Sequence, residues 1–363
     1  MFFELSSHPN KSFPCSWKIG GRILSTDVGW QEFQSGNKRA IAKGYTFEVP
    51  LEQAAFEPPQ YRGMFCSIAE TEEGVMITHG LLRGFPVYKT ATGISNFDVG
   101  LKIPPNKFYK NNRYVEFDNL PKNLILPQNL DEALSLIDSY LEENLRGFVK
   151  HDSRKIEVTV TGGLDTTLVY SYIESLAIPH TPVIDKIREF DEFFINIQKS
   201  DRFNGWINDV NHYRDPCVVT AGGNGDLFFL RQDWVMPWID SNQRYVYSES
   251  DYADLTIPEN NTQYSAPRDR EGILSGLLTC SHIWHIGNTI YLNPLLDMRI
   301  PMTLMELDKD VLYEAARTGQ VQRELIAKRS PWMAQLLPAK KNQNSRLNFL
   351  PEILKRLDKT SNL

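Results

Sequence analysis

The chain has 363 residues, 41% of them hydrophobic and 11% aromatic, which is enough for two ordinary cores and sets a prior of about two domains. Its 39 basic and 45 acidic side chains leave a net charge of −6, so no basic footprint for nucleic acid is present. Neither a basic leader with an apolar core nor a stretch near the roughly 20 apolar residues of a membrane span occurs, and the expectation is a soluble, cytoplasmic protein with no membrane partner.

In chain order, residues 1–122 read as short strands and turns, punctuated by Gly20-Gly21, Gly44, Pro58-Pro59, Gly84 and Pro104-Pro105. A β-rich first domain over 1–122 follows, with Pro121 to Pro127 as the linker to a second domain over 123–363. Apolar spacing at Leu130, Ala133, Leu134, Ile137 and Leu141, with acidic residues in the first turn, predicts a helix over 129–141. Ile156-Glu-Val-Thr-Val160 is a β-branched strand, and the helical pattern resumes after Gly162-Gly163. Val183-Ile-Asp185 is a short candidate strand, and 186–213 reads as helical. Pro216-Cys-Val-Val-Thr220 predicts another strand, which leads into Gly222-Gly-Asn-Gly-Asp226.

The four cysteines, Cys15, Cys66, Cys217 and Cys280, are far apart and show neither a zinc pattern nor a disulfide framework, so buried free thiols are expected. Trp234 and Trp238 fit core packing better than an aromatic binding face. His282 and His285 have metal-like spacing on a helix but no third ligand, which favours packing.

The strand, glycine turn and helix at 156–169 suit an anion. Glycines let the backbone approach closely, Thr161, Thr166 and Thr167 carry hydroxyls, and amides at a helix start favour negative charge. Asp165 at such a place is most simply explained by a divalent cation that bridges it to phosphate oxygens. The second glycine turn also carries one carboxylate, Asp226. In an open α/β sheet both turns would face the crevice at the carboxyl ends of the strands.

These segments together resemble the ATP pyrophosphatases of the asparagine synthetase-like, PP-loop class. Thr161-Gly-Gly-Leu-Asp-Thr-Thr167 is similar to the Ser-Gly-Gly-x-Asp-Ser pyrophosphate loop, and Gly222-Gly-Asn-Gly-Asp-Leu-Phe-Phe229 to a glycine turn ending in Asp-Glu-Leu-Phe. Tyr291-Leu-Asn-Pro-Leu-Leu-Asp-Met-Arg299 resembles the family's Pro-Phe-Leu-Asp segment, and Leu336-Leu-Pro-Ala-Lys-Lys-Asn342 a compressed form of its late Leu-Pro-x-x-x-x-x-Lys segment. Residues 61–88 are similar to part of the glutaminase-type domain that precedes the synthetase domain in that family.

The resemblance implies a fold: an N-terminal β-rich, Ntn-hydrolase-like α+β domain followed by a parallel-sheet domain of the adenine nucleotide alpha hydrolase type. It also implies ATP and Mg²⁺ as cofactors. Thr161, Gly162, Gly163, Leu164, Asp165, Thr166, Thr167, Gly222, Gly223 and Gly225 would bind ATP and pyrophosphate, Asp165 and Asp226 would hold the metal, and Lys341 or Lys340 would be the catalytic cation. The implied activity is an AMP-forming amide ligase, closest in logic to β-lactam synthetases, which joins a small-molecule or peptide carboxylate to ammonia or an amine.

Three departures accompany the likeness. Leu227 stands where the family has glutamate, and only 61 positions separate Asp165 from Asp226. The sequence begins Met1-Phe2-Phe3, so no terminal cysteine nucleophile is expected and the first domain reads as degenerate. Two further functions remain open: adenylation with transfer to a nucleoside or peptide, and a nucleotide-binding pseudoenzyme. Asp297 and Arg299 could shape an acceptor site or form a structural cap and ion pair.

Overall fold

The computed structural model describes residues 2–82, 87–91, 93–96, 101–104, 106–118, 120–122, 124–160, 163–184, 218–220, 225–231, 239, 274, 277, 285 and 288–337. The protein is mixed α/β, with antiparallel sheets first and a parallel sheet flanked by helices later. Among the described residues no helix is long and apolar enough to cross a membrane.

The first sheet contains β1 (Phe3–Ser6), β2 (Cys15–Ile19), β3 (Arg22–Thr26), β8 (Tyr88–Lys89), β9 (Gly93–Ser95) and β10 (Leu101–Lys102), in the order β10-β8-β9-β1-β3-β2. The second contains β4 (Gln31–Ser35), β5 (Lys38–Thr46), β6 (Gly63–Thr71), β7 (Gly74–His79), β11 (Lys107–Lys110) and β12 (Arg113–Glu116), in the order β12-β11-β7-β6-β5-β4. Local chemistry sets the tight turns. Gly20-Gly21 and Asn111-Asn112 all take positive φ, which two-residue hairpin loops need if their twist is to match that of the strands. Phe3, Leu5 and Leu24 of one sheet meet Ile41, Ile68 and Ile77 of the other in a shared core. A short helix α1 (Leu51–Ala54) covers Ala40, Ala42 and Ala69 on the far face of the second sheet.

Within the sandwich lies one ion pair cut off from water. Lys43 and Asp27 have side chains 0% and 1% exposed and meet at 2.8 Å. Asp27 Oδ1 also accepts from Trp30 Nε1 at 2.7 Å and from Phe2 N at 2.8 Å, and Lys43 Nζ donates to Val28 O at 2.8 Å.

Asn129 caps α2 (Leu130–His151) by accepting from Glu132 N at 2.9 Å. The helix runs ten residues beyond the expected end at Leu141, because Leu145 and Phe148 continue the buried stripe through the polar stretch 142–144. β13 (Ile156–Val160), α3 (Leu164–Ser175) and β14 (His180–Ile184) form a β-α-β unit whose strands pair in parallel. On the other side of β13 come β15 (Val218–Thr220) and then β16 (Ile290–Leu292), also parallel, giving the order β14-β13-β15-β16. The order reverses between β13 and β15. A crevice opens at such a switch point, at the carboxyl ends of the two strands.

Helix α4 (Gly225–Phe228) follows β15. After β16 come α5 (Arg299–Leu304), α6 (Lys309–Thr318), α7 (Gln320–Arg329) and α8 (Pro331–Leu336). Gly319, at φ +66°, both ends α6 and starts α7, a left-handed corner that glycine takes at least cost. Helix α7 lies along α3. One large core runs from Tyr45, Phe47 and Met64 of the sandwich through α2 and the parallel sheet to α7. The segment 186–213, expected to be helical, lies outside the described residues.

Candidate active site at the sheet switch point

The crevice between β13 and β15 brings the two expected carboxylates together. Asp165 is in the first turn of α3, and Asp226 is the second residue of α4. The backbone N–H of Asp226 donates to Asp165 Oδ2 at 3.0 Å. Only glycine lets the two turns approach this far. A Cβ on Gly225 would stand 2.7 Å from Asp165 Cγ and 2.7 Å from Leu295 Cδ1.

The two carboxylates act on each other. Burial, and then the neighbouring charge of Asp226, push the Asp165 carboxyl up to about 6, against the pull of Arg231 and the hydrogen bond from Gln322. Gln322 Nε2 donates to Asp165 Oδ1 at 2.9 Å, so both carboxylate oxygens are held from different elements. Gln322 itself is 1% exposed, and its Oε1 has no hydrogen-bond partner. A hard divalent cation fits this donor set. It would relieve the carboxylate repulsion and give the orphaned amide oxygen a partner, while phosphate and water oxygens completed its shell. No group of three or more His, Cys, Asp or Glu side chains suited to a metal occurs among the described residues.

Gly163 caps α3 with extended geometry and no side-chain bond. The amides of Leu164 and Asp165 fall in the first turn of α3, where an α-helix has no internal acceptor for its N–H groups, and such an end favours an anion. The threonines serve the turn itself: Thr166 Oγ1 and Thr167 Oγ1 donate to Gly163 O at 3.0 and 2.7 Å. Thr167 is 1% exposed, so its hydroxyl braces the loop from beneath. Thr161, Gly162, Gly222, Gly223, Lys340 and Lys341 lie outside the described residues.

Other singled-out residues fall elsewhere. Asp297 is 3% exposed and is gripped by Arg299 Nη2 at 2.8 Å, Asn144 Nδ2 at 3.0 Å and Arg62 Nη1 at 3.3 Å. Glu143 takes the outer faces of the same two arginines, at 2.6 Å to Arg62 and 2.7 Å to Arg299. Burial pushes the Asp297 carboxyl up to about 6 despite Arg62. This network joins β6, α2 and the loop after β16. His285 is buried, with Nδ1 accepting from Tyr291 N at 3.1 Å and Nε2 therefore donating to Met64 O at 2.7 Å. Burial drives its pKa well below the ordinary value, and both ring nitrogens are spent on the backbone. His282 is outside the described residues. Cys15 sits on β2, and burial and the charge of Asp27 raise its thiol pKa.

Gln322, Arg231 and Arg323 carry no motif in the sequence. The available signal was a glutamine among Val321, Leu325 and Ile326, on the buried face of α7. No protein-family model matches the chain, and no curated protein matches it.

Proposed function

We propose that the protein is an ATP-dependent, AMP-forming amide ligase. The observation that carries this reading is the Asp165 and Asp226 pair, which meets at the switch point directly beside the amino end of α3. In the proposed reaction a substrate carboxylate attacks the α-phosphate of ATP, the bond to pyrophosphate breaks, and an amine then displaces AMP from the acyl-adenylate. A Mg²⁺ ion held by Asp165 and Asp226 would neutralise charge on the leaving pyrophosphate.

The chain's own residues supply position. The amino end of α3 receives phosphate oxygens through backbone amides and the helix dipole. Gln322 and the Asp226 amide fix the Asp165 carboxylate so that its remaining lone pairs face the crevice. Lys341, or Lys340, would meet the charge that develops at the α-phosphate. The region 1–122 acts in this reading as a glutaminase-like partner that packs against the synthetase domain.

One observation favours a second reading, a nucleotide-binding pseudoenzyme: Leu227, directly after Asp226, is 4% exposed and packs into the large core, so no acid stands there.

The test is product analysis. The full chain is incubated with ATP, Mg²⁺ and a panel of carboxylic acids, with hydroxylamine as the amine, and assayed for pyrophosphate exchange, AMP and hydroxamate. Release of ADP and phosphate would sink the adenylation mechanism. Nucleotide binding with no exchange on any acid would support the pseudoenzyme.

A further inference from the structure

The partly buried arginines among the described residues differ in their partners. Arg39, Arg62, Arg154, Arg299 and Arg329 each pair with a carboxylate. Arg231 and Arg323 have no carboxylate at ion-pair distance among the described residues. What each has is an anchor at the carboxyl end of α6: Arg231 Nε donates to Ala316 O at 3.2 Å and Arg323 Nε to Thr318 O at 3.1 Å.

Both guanidinium groups are thus tethered by one edge to the last turn of α6, and their outer amino groups are left as donors. The corner lies against the crevice. A Cβ on Gly319 would stand 2.6 Å from Leu164 Cδ2, the first residue of α3, and 3.2 Å from Arg231 Cζ. Burial, and then the charge of Arg231, lower the pKa of Arg323. Two guanidinium groups near one corner favour an anion that can accept hydrogen bonds from both.

We infer that Arg231 and Arg323 form an anion subsite at the α6–α7 corner, which takes the terminal phosphates of the nucleotide and the pyrophosphate that leaves it. The inference rests on the adenylation reading for its ligand. Two guanidinium groups with free outer edges suit a polyphosphate, whose several oxygens can accept from both, better than a single carboxylate. Beside Asp165, the buried Gln322 Oε1 has no hydrogen-bond partner and is a second polar atom that a ligand at this place would satisfy.

The test is calorimetric binding of inorganic pyrophosphate with Mg²⁺, and separately of adenosine, to the full chain and to Arg231→Met, Arg323→Met and Arg323→Lys. Mn²⁺ occupancy is followed in parallel by electron paramagnetic resonance. Each Met variant is expected to weaken pyrophosphate by about tenfold or more, with adenosine binding unchanged, Mn²⁺ binding unchanged in Arg323→Met, and Arg323→Lys intermediate. Arg323 lies partly exposed on α7, so its variants remain informative if Arg231→Met does not fold. Wild-type pyrophosphate affinity in both Met variants overturns the subsite and leaves the ligase reading intact. Displacement of succinate instead of pyrophosphate would assign the arginines to the acceptor acid and likewise overturn it. Failure of the wild type to bind adenosine, ATP or pyrophosphate removes the nucleotide reading itself.

Discussion

Asp165→Asn should make the metal-free protein more stable at pH 8 while it removes function. The Asp165 carboxyl sits at about 6 against an ordinary 3.8, and at neutral pH that difference costs the folded state about 3 kcal/mol. The sign follows from linkage. A folded-state pKa above the unfolded value favours the fold while the group is protonated, so this contribution is complete below pH 3.8 and is lost as pH rises through about 6. Asparagine keeps the volume and removes the charge. Its Oδ1 can still accept from the Asp226 amide, and Gln322 can turn its amide over to meet the new Nδ2, because its Oε1 has no partner to lose. The expected gain is therefore about 2–3 kcal/mol at pH 8, vanishing near pH 4. Urea denaturation of both proteins in chelator at the two pH values measures it, and added Mg²⁺ should stabilise only the wild type. A variant less stable than wild type at pH 8, or a difference independent of pH, would show that the carboxylate is a structural partner of Arg231 instead.

Lys43→Met should cost about 3–5 kcal/mol, because it strands Asp27 without its counter-charge in the sandwich, and removing both charges as Lys43→Met with Asp27→Leu should cost less than the single change. Arg62→Ala should cost about 2–4 kcal/mol in chemical denaturation, since it opens the clamp on Asp297 and leaves that carboxylate one charge short. Gly319→Ala should cost about 1–3 kcal/mol and lower pyrophosphate affinity, because a Cβ at φ +66° would also strike Leu164; equal stability would show that the corner can shift. The purified chain should release no glutamate from glutamine, and Cys15→Ala should leave ligase activity unchanged, since burial and the charge of Asp27 raise the Cys15 thiol pKa and disfavour its thiolate.

Some of this was legible along the chain and some was not. The β13 to α3 turn announced itself, because a β-branched run breaking at two glycines before an apolar helix leaves few alternatives. The adjacent strand was read only as 183–185, yet it pairs with β13 from His180 onward. Pro182 hid its start: it lies within β14, which is tolerated because β14 is the edge of its sheet. The continuation of α2 was masked by Asn144, a polar residue at a buried position. It is satisfied from far away, by Asp297 and Pro294 O, so no local pattern could justify it. Gln322 is the same case at the site. Its partner, Asp165, is 157 positions earlier, and a helix written Gln-Val-Gln-Arg-Glu-Leu reads locally as a solvated surface.

The contacts between the sandwich and the parallel sheet converge on one short stretch, and this gives the first 122 residues a mechanical part in the site. Tyr45 Oη accepts from Asn293 N at 3.1 Å, His285 ties Met64 O to the Tyr291 amide, and Arg62 holds Asp297. Asn293 Oδ1 in turn accepts from Leu295 N at 3.0 Å, and Leu295 is the side chain that closes on Gly225 beneath the Asp165 and Asp226 pair. A displacement of the loop 293–297 would thus reach the carboxylates through one packed side chain. The sandwich contributes no group to the proposed chemistry. By fixing the loop whose Leu295 packs against Gly225, it sets how closely the Asp226 backbone can approach Asp165.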